Sequence, residues 1–138
     1  MKIISLILFL TLSLNSYATL SLVSHDGTQA FNLPLKQSDI GKSIGQLTVE
    51  MLDLYQIDYQ GSELGLNSVL NSPLGTDAFI IISQNEMKSY GWCYSYNGIV
   101  PEVYPNEIEI KSIQDRIEWF WGYAHYLNGK WISQCSFN

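Results

Sequence analysis

Positive charge is scarce in this sequence: seven Lys and Arg among 138 residues stand against 13 Asp and Glu, for a formal net charge of −6. Past the N-terminus the basic residues are scattered, at Lys36, Lys42, Lys88, Lys111, Arg116 and Lys130. Neutralising nucleic-acid phosphates or an anionic membrane surface takes clustered Lys and Arg, so neither partner is expected. Histidine is as sparse. His25 and His125 have no second His, Cys or acid at metal-ligand spacing, and no metal site follows from them. The chain carries no Gly-rich phosphate loop, no Gly-x-Ser-x-Gly elbow and no His-Glu-x-x-His, so an enzyme and a resident cofactor are not expected. It has no low-complexity linker and no internal repeat. The one long apolar run, Ile3 to Leu14, is shorter than the roughly 20 residues that span a bilayer.

That run instead fits a secretion leader. Lys2 supplies the positive start, and Ser16 and Ala18 match the small-x-small pattern read by signal peptidase. Cleavage after Ala18 predicts an exported protein, periplasmic or secreted, with residues 19–138 forming one domain and no remaining membrane span. Lys2 falls in the leader, so six basic and 13 acidic residues remain, for a formal charge of −7. Both cysteines, Cys93 and Cys135, lie in this part. In an oxidising compartment an even pair most often forms a disulfide. A reactive Cys93 thiol, with His125 as its base, is the alternative.

Turn signals organise the chain. Asp26-Gly27 between Leu20–Val23 and Ala30–Leu35 predicts an opening β-hairpin. Asn97-Gly98 follows Trp92–Tyr96, and Asn128-Gly129 separates Ile117–Leu127 from Lys130–Cys135. Ser43 is a candidate helix N-cap, with Ile44, Leu47, Met51 and Leu54 on one stripe and a predicted end near Ile57. The Gly-, Asn- and Ser-rich stretch from Gly61 to Thr76 reads as a loop. Ala78 to Ser83 reads as the most buried strand, and Ile108 to Ile110 as a short one. Pro101 and Pro105 confine the segment after Asn97-Gly98 to a loop or an edge. Glu102, Glu107 and Glu109 read as a solvated edge. The order describes an α+β, β-grasp-like domain: an N-terminal hairpin, one helix packed on a mixed sheet, and a C-terminal hairpin.

Register adds a constraint. A two-residue turn at Asn128-Gly129 pairs Leu127 with Lys130 and, counted outwards, Tyr123 with Gln134 and Gly122 with Cys135. If Cys93 and Cys135 join within one sheet, then Trp92, Tyr94, Tyr96, Trp119, Trp121 and Tyr123 all project from the other side. One reading makes this face the core beneath the helix, chiefly through Ile117, Trp119 and Trp92. Six aromatics exceed what a short helix covers, so the second reading leaves Tyr94, Tyr96, Trp121 and Tyr123 in a partly exposed platform, the usual lining of a ligand site.

The stretches Gly91-Trp92-Cys93-Tyr94-Ser95-Tyr96-Asn97-Gly98 and Asp115-Arg116-Ile117-Glu118-Trp119 resemble a domain-of-unknown-function family similar to the C-terminal domain of transcobalamin and intrinsic factor. That family shows a helix, a Gly-Trp-x-Tyr-x-x-Asn-Gly strand and a Gly-Asp-x-Ile-x-Trp turn. Gln114 stands here in place of the turn glycine, and the hairpin from Trp121 to Asn138 is an extension. The resemblance implies a β-grasp-like fold and a non-enzymatic binding module for a small planar ligand such as a corrinoid. The candidate ligand residues are Trp92, Tyr94, Tyr96, Asn97, Trp121 and Tyr123. The alternative is an envelope or secreted protein-interaction module whose aromatics are mostly buried and whose acidic surface meets a protein partner.

Overall fold

The computed structural model describes residues 19–137. The predicted leader and its cleavage point lie outside them. The fold is α+β: one helix and a curled mixed sheet, with a second small sheet beside it. The large sheet runs β2 (Ala30–Pro34), β1 (Thr19–Val23), β7 (Ile117–Leu127), β6 (Glu86–Tyr96) and β5 (Phe79–Ser83). The last strand, β8 (Lys130–Ser136), pairs with β7 as well. β1 and β2 form the expected opening hairpin, and β1 lies parallel to β7 through Leu20–Ile117 and Leu22–Trp119.

The helix α1 (Ile44–Leu54) starts where its cap predicts: Ser43 Oγ accepts from Gln46 N at 3.0 Å. It ends at Leu54 rather than near Ile57, because Gln56 takes a left-handed φ of 53° that breaks the helical run. Its inner face, including Ile44, Leu47, Met51 and Leu52, packs with Leu20, Leu22, Ile117, Trp119 and Tyr94 in one core. Burying each of these aliphatic side chains is worth about 1.5–3 kcal/mol. Leu54, expected on the buried stripe, is exposed.

Three further expectations are corrected. Within the stretch from Gly61 to Thr76, which reads as a loop, the chain forms most of a hairpin, β3 (Tyr59–Ser62) and β4 (Gly65–Val69). Tertiary packing overrides its turn-rich composition. The hairpin is pressed so tightly onto α1 that a Cβ on Gly45 would collide with the Glu63 carbonyl. The Ser72 hydroxyl accepts from Val69 N at 3.0 Å and donates to Ser68 Oγ at 3.3 Å. Of the stretch from Ala78 to Ser83, expected to be the most buried strand, Ala78 is buried, but Phe79–Ser83 is the exposed edge strand β5, with Ile81 66% exposed. The short strand at Ile108–Ile110 is a single bridge from Glu109 to Ser43, with Ile110 buried against the core.

The hairpin of β7 and β8 turns at Asn128 and Gly129 (φ 50° and 83°) and pairs Leu127 with Lys130, as expected. The outward count fails beyond that. Two bulges leave His125 opposite Ser133 and Tyr123 opposite Ser136, so the Tyr123–Gln134 and Gly122–Cys135 pairs do not form. Each bulge adds one residue to β8. Cys135 sits within the second bulge, at a left-handed φ of 52°, and there it reaches Cys93, with Cα atoms 5.8 Å apart. Gly122 makes the crossing possible: a Cβ there would stand 3.2 Å from both Cys93 Sγ and the Ser136 carbonyl oxygen.

Candidate functional site

Cross-strand pairing between β6 and β7 sets the aromatic residues in opposed rows: Tyr90–Tyr123, Trp92–Trp121, Tyr94–Trp119 and Tyr96–Ile117. All project from the face opposite the Cys93–Cys135 disulfide, as the register predicts. Along this face their surroundings divide them into three groups.

Beneath the helix, Trp119 is buried and its indole N–H donates to Thr48 Oγ1 at 2.8 Å. Tyr94 lies against it, ring centroids 5.3 Å apart, and donates its hydroxyl proton to the Val103 carbonyl at 2.6 Å. Burial, reinforced by the nearby Glu107 charge, pushes the Tyr94 phenol up to about 12.

At the turn, Tyr96 and Asn97 belong to a structural latch on Asp115. The buried carboxylate accepts from Tyr96 Oη at 2.9 Å, Asn97 Nδ2 at 3.2 Å, Lys111 N at 2.9 Å and Ser112 N at 3.1 Å. Burial alone would raise its pKa, but these hydrogen bonds outweigh burial and hold it below the ordinary value. Asn97 Oδ1 also accepts from Arg116 N at 2.8 Å. Both candidate ligand residues here spend their polar groups on the fold.

Beyond the helix, Trp121 meets Trp92, Tyr90 and His25 with ring centroids 5.5–6.1 Å apart. Tyr123 packs on Tyr90 and carries the Lys88 ammonium 4.2 Å above its ring. A shallow hollow of about 280 Å³ opens between Trp121, His25, Tyr90, Asp77 and Ile80.

A larger hollow lies elsewhere. A cleft of about 680 Å³ opens between the β3–β4 hairpin, the Val100–Pro105 loop and β6. Trp92, Tyr94 and Trp119 form its aromatic wall, faced by Leu66, Val103 and Tyr104. The Trp92 indole is pinned by donating to Ser72 Oγ at 2.9 Å. Of the six candidate ligand residues, this cleft gathers Trp92 and Tyr94. The hairpin residues and Val103 carry no sequence signal for this role, because only the three-dimensional closure of the hairpin over β6 places them there. Among the described residues, no group of three or more His, Cys, Asp or Glu is placed to hold a metal ion, and no helix is long and apolar enough to cross a membrane. His125 pairs with Glu86 at 2.8 Å, and Cys93 is in the disulfide, which takes away the thiol of a Cys93–His125 pair.

Set against known protein families, curated proteins and solved structures, the chain matches none.

Proposed function

We propose that this protein is an exported, non-enzymatic binding module whose ligand site is the cleft between Trp92, Tyr94 and the β3–β4 hairpin. The cleft itself carries the reading: it has the volume of a small-ligand site and a rigid aromatic wall. Tyr94, Trp119 and Trp92 are fixed by hydrogen bonds, so the wall is formed before a ligand arrives. A small planar ligand such as a corrinoid is the class implied by the resemblance to the transcobalamin-like family. The β-grasp-like reading is supported by the opening hairpin, the helix across one sheet face and the mixed strand directions. Export is supported by the Lys2–Ala18 leader pattern and by a disulfide, which persists in oxidising compartments.

Tryptophan fluorescence, titrated with a corrinoid and corrected for its absorbance, tests the ligand. Saturable quenching that weakens in Trp92→Ala but not in Trp121→Ala supports the cleft. The reverse pattern moves the site to the His25–Trp121 hollow, and no saturable change at millimolar corrinoid removes that ligand class. Export is checked by N-terminal sequencing of protein recovered outside the cytoplasm, where Thr19 is the expected first residue.

A second reading, a protein-interaction module, is favoured by β5. Phe79, Ile80, Ile81 and Ile82 are all exposed on an edge strand with no charged residue or proline, the kind of edge that pairs with another chain.

A further inference from the structure

The hollow beside Trp121 is assembled from parts distant in sequence. His25 comes from the β1–β2 connection, Asp77 from the helical turn Gly75–Ala78 before β5, and Ile80 from β5 itself, while Tyr90 and Trp121 stand on β6 and β7. The fold fixes these walls. Ser24 N donates to the Gln29 carbonyl at 2.8 Å and Ser24 Oγ to Asp26 Oδ1 at 2.7 Å, which closes the turn around His25. His25 stands edge-on to Trp121, ring centroids 5.9 Å apart and planes at 67°. Its Nδ1 is buried with no hydrogen-bond partner among the described residues, so packing on Trp121 rather than a bond at that nitrogen holds the ring. Tyr90 lies nearly parallel to Trp121, with planes at 21°.

The hollow offers aromatic rings, side-chain carbon and one carboxylate. Asp77 lines it, and no Lys or Arg does among the described residues. The same row of rings already holds a cation, since the Lys88 ammonium sits 4.2 Å from the centre of the Tyr123 ring, which packs on Tyr90. A ring attracts positive charge by about 0.5–1 kcal/mol where exposed and about 2 kcal/mol where water is excluded. Size narrows the occupant. A volume of about 280 Å³ falls at the bottom of the range for small-molecule sites, so it suits a head group rather than a whole drug-sized ligand. The walls narrow it further. A primary ammonium brings N–H donors that need acceptors, whereas Pro73, Ala78 and Ile80 present side-chain carbon. Methyl groups on the nitrogen match that carbon and leave the charge to Asp77 and the rings.

We propose that this hollow is a second binding site, separate from the cleft, and that it takes a quaternary ammonium group. The cation lies among Trp121, Tyr90 and His25 with the Asp77 carboxylate as its counter-charge, and its methyl groups meet Ile80, Ala78 and Pro73. The group can belong to a free solute or to a lipid head group, which present the same trimethylammonium.

The probes are tetramethylammonium and choline, titrated into the protein while the Trp121 indole N–H resonance is followed. Both should shift it saturably at millimolar concentration. The alcohol in which a tert-butyl group replaces trimethylammonium keeps the shape of choline without its charge, and should bind about tenfold more weakly. Asp77→Asn, at an exposed position, should weaken choline about fivefold, and Trp121→Leu should abolish its binding. Sedimentation with phosphatidylcholine vesicles, against phosphatidylglycerol vesicles, separates the sources. Choline bound without the vesicles assigns a free solute, and binding of both, weakened together in Asp77→Asn, assigns a lipid head group. The proposal is overturned if tens of millimolar choline give no saturable shift, if the tert-butyl alcohol binds as well as choline, or if Asp77→Asn binds unchanged. It is overturned too if the shifts gather at Trp92 and Tyr94 instead. The hollow and the cleft share no lining residue, so either reading can fail alone.

Discussion

Leu20–Leu22 and Phe79–Ile82 are both short apolar stretches of the same sheet, and they finish in opposite surroundings. Leu20 and Leu22 lie between β2 and β7 with α1 across them, and neither has any solvent exposure. The four apolar residues of β5 are all 39% exposed or more, because the strand sits last in the order and the helix does not reach it. Hydrophobicity specifies that a residue prefers burial, while its place in the strand order decides whether anything comes to cover it. The same contrast runs along the aromatic face: Trp119 lies beneath the helix and is buried, whereas Trp121, two residues on, lies past it and is only partly covered.

The sharpest way to break this comparison is to remove its buried side. Trp119→Ala empties a packed site and takes away a partner of Thr48, so about 5 kcal/mol of stability should be lost in urea unfolding. A loss under 1 kcal/mol would mean that α1 does not rest on this face. Replacing both Cys93 and Cys135 with serine opens a connection of 42 residues and should cost about 4 kcal/mol in the chain-entropy account. Asp115→Ala strands the donors of Tyr96, Asn97, Lys111 and Ser112, at a cost of about 3 kcal/mol.

Acid and alkali test the two ends of the site separately. Asp115 binds its proton less readily in the folded protein, so its contribution is complete above the ordinary carboxyl value of 3.8 and is lost as pH falls below it. Asp115→Asn should flatten that acid limb. Tyr94 holds its proton to about 12 against an ordinary 10.0, so its contribution is full below pH 10 and drains between 10 and 12. Tyr94→Phe should remove the alkaline slope and cost about 1 kcal/mol at neutral pH through the lost bond to Val103. The smallest effect belongs to the exposed side: Ile81→Ala should shift stability by less than about 0.5 kcal/mol. A larger loss would show that β5 is covered in solution, and sedimentation of the same variant would show whether a second copy covers it.

Local chemistry explains what could be read in advance. The Ser43 cap, the Asn97-Gly98 and Asn128-Gly129 turns and the alternation of Trp92, Tyr94 and Tyr96 are each settled by a few neighbouring residues. The strand order is not, so Phe79–Ser83 reads as core and becomes an edge. The β3–β4 hairpin has the composition of a loop because its stability comes from packing against α1, which lies earlier in the chain, and from the Ser72 hydroxyl just past its end. For the site, the aromatic wall is legible in Trp92 and Tyr94, whereas the wall opposite depends on that hairpin and on Val103. Asp115 stands in the family-like motif, yet nothing in the motif shows that four donors converge on it.

The extra residues of β8 are slack in the strand. Ile132 stands between the pairs Tyr126–Trp131 and His125–Ser133, so taking it out should straighten that bulge and leave Ser133 opposite His125. The cysteine beyond it would keep its place over Gly122, and the crosslink should survive a shortening by this one residue.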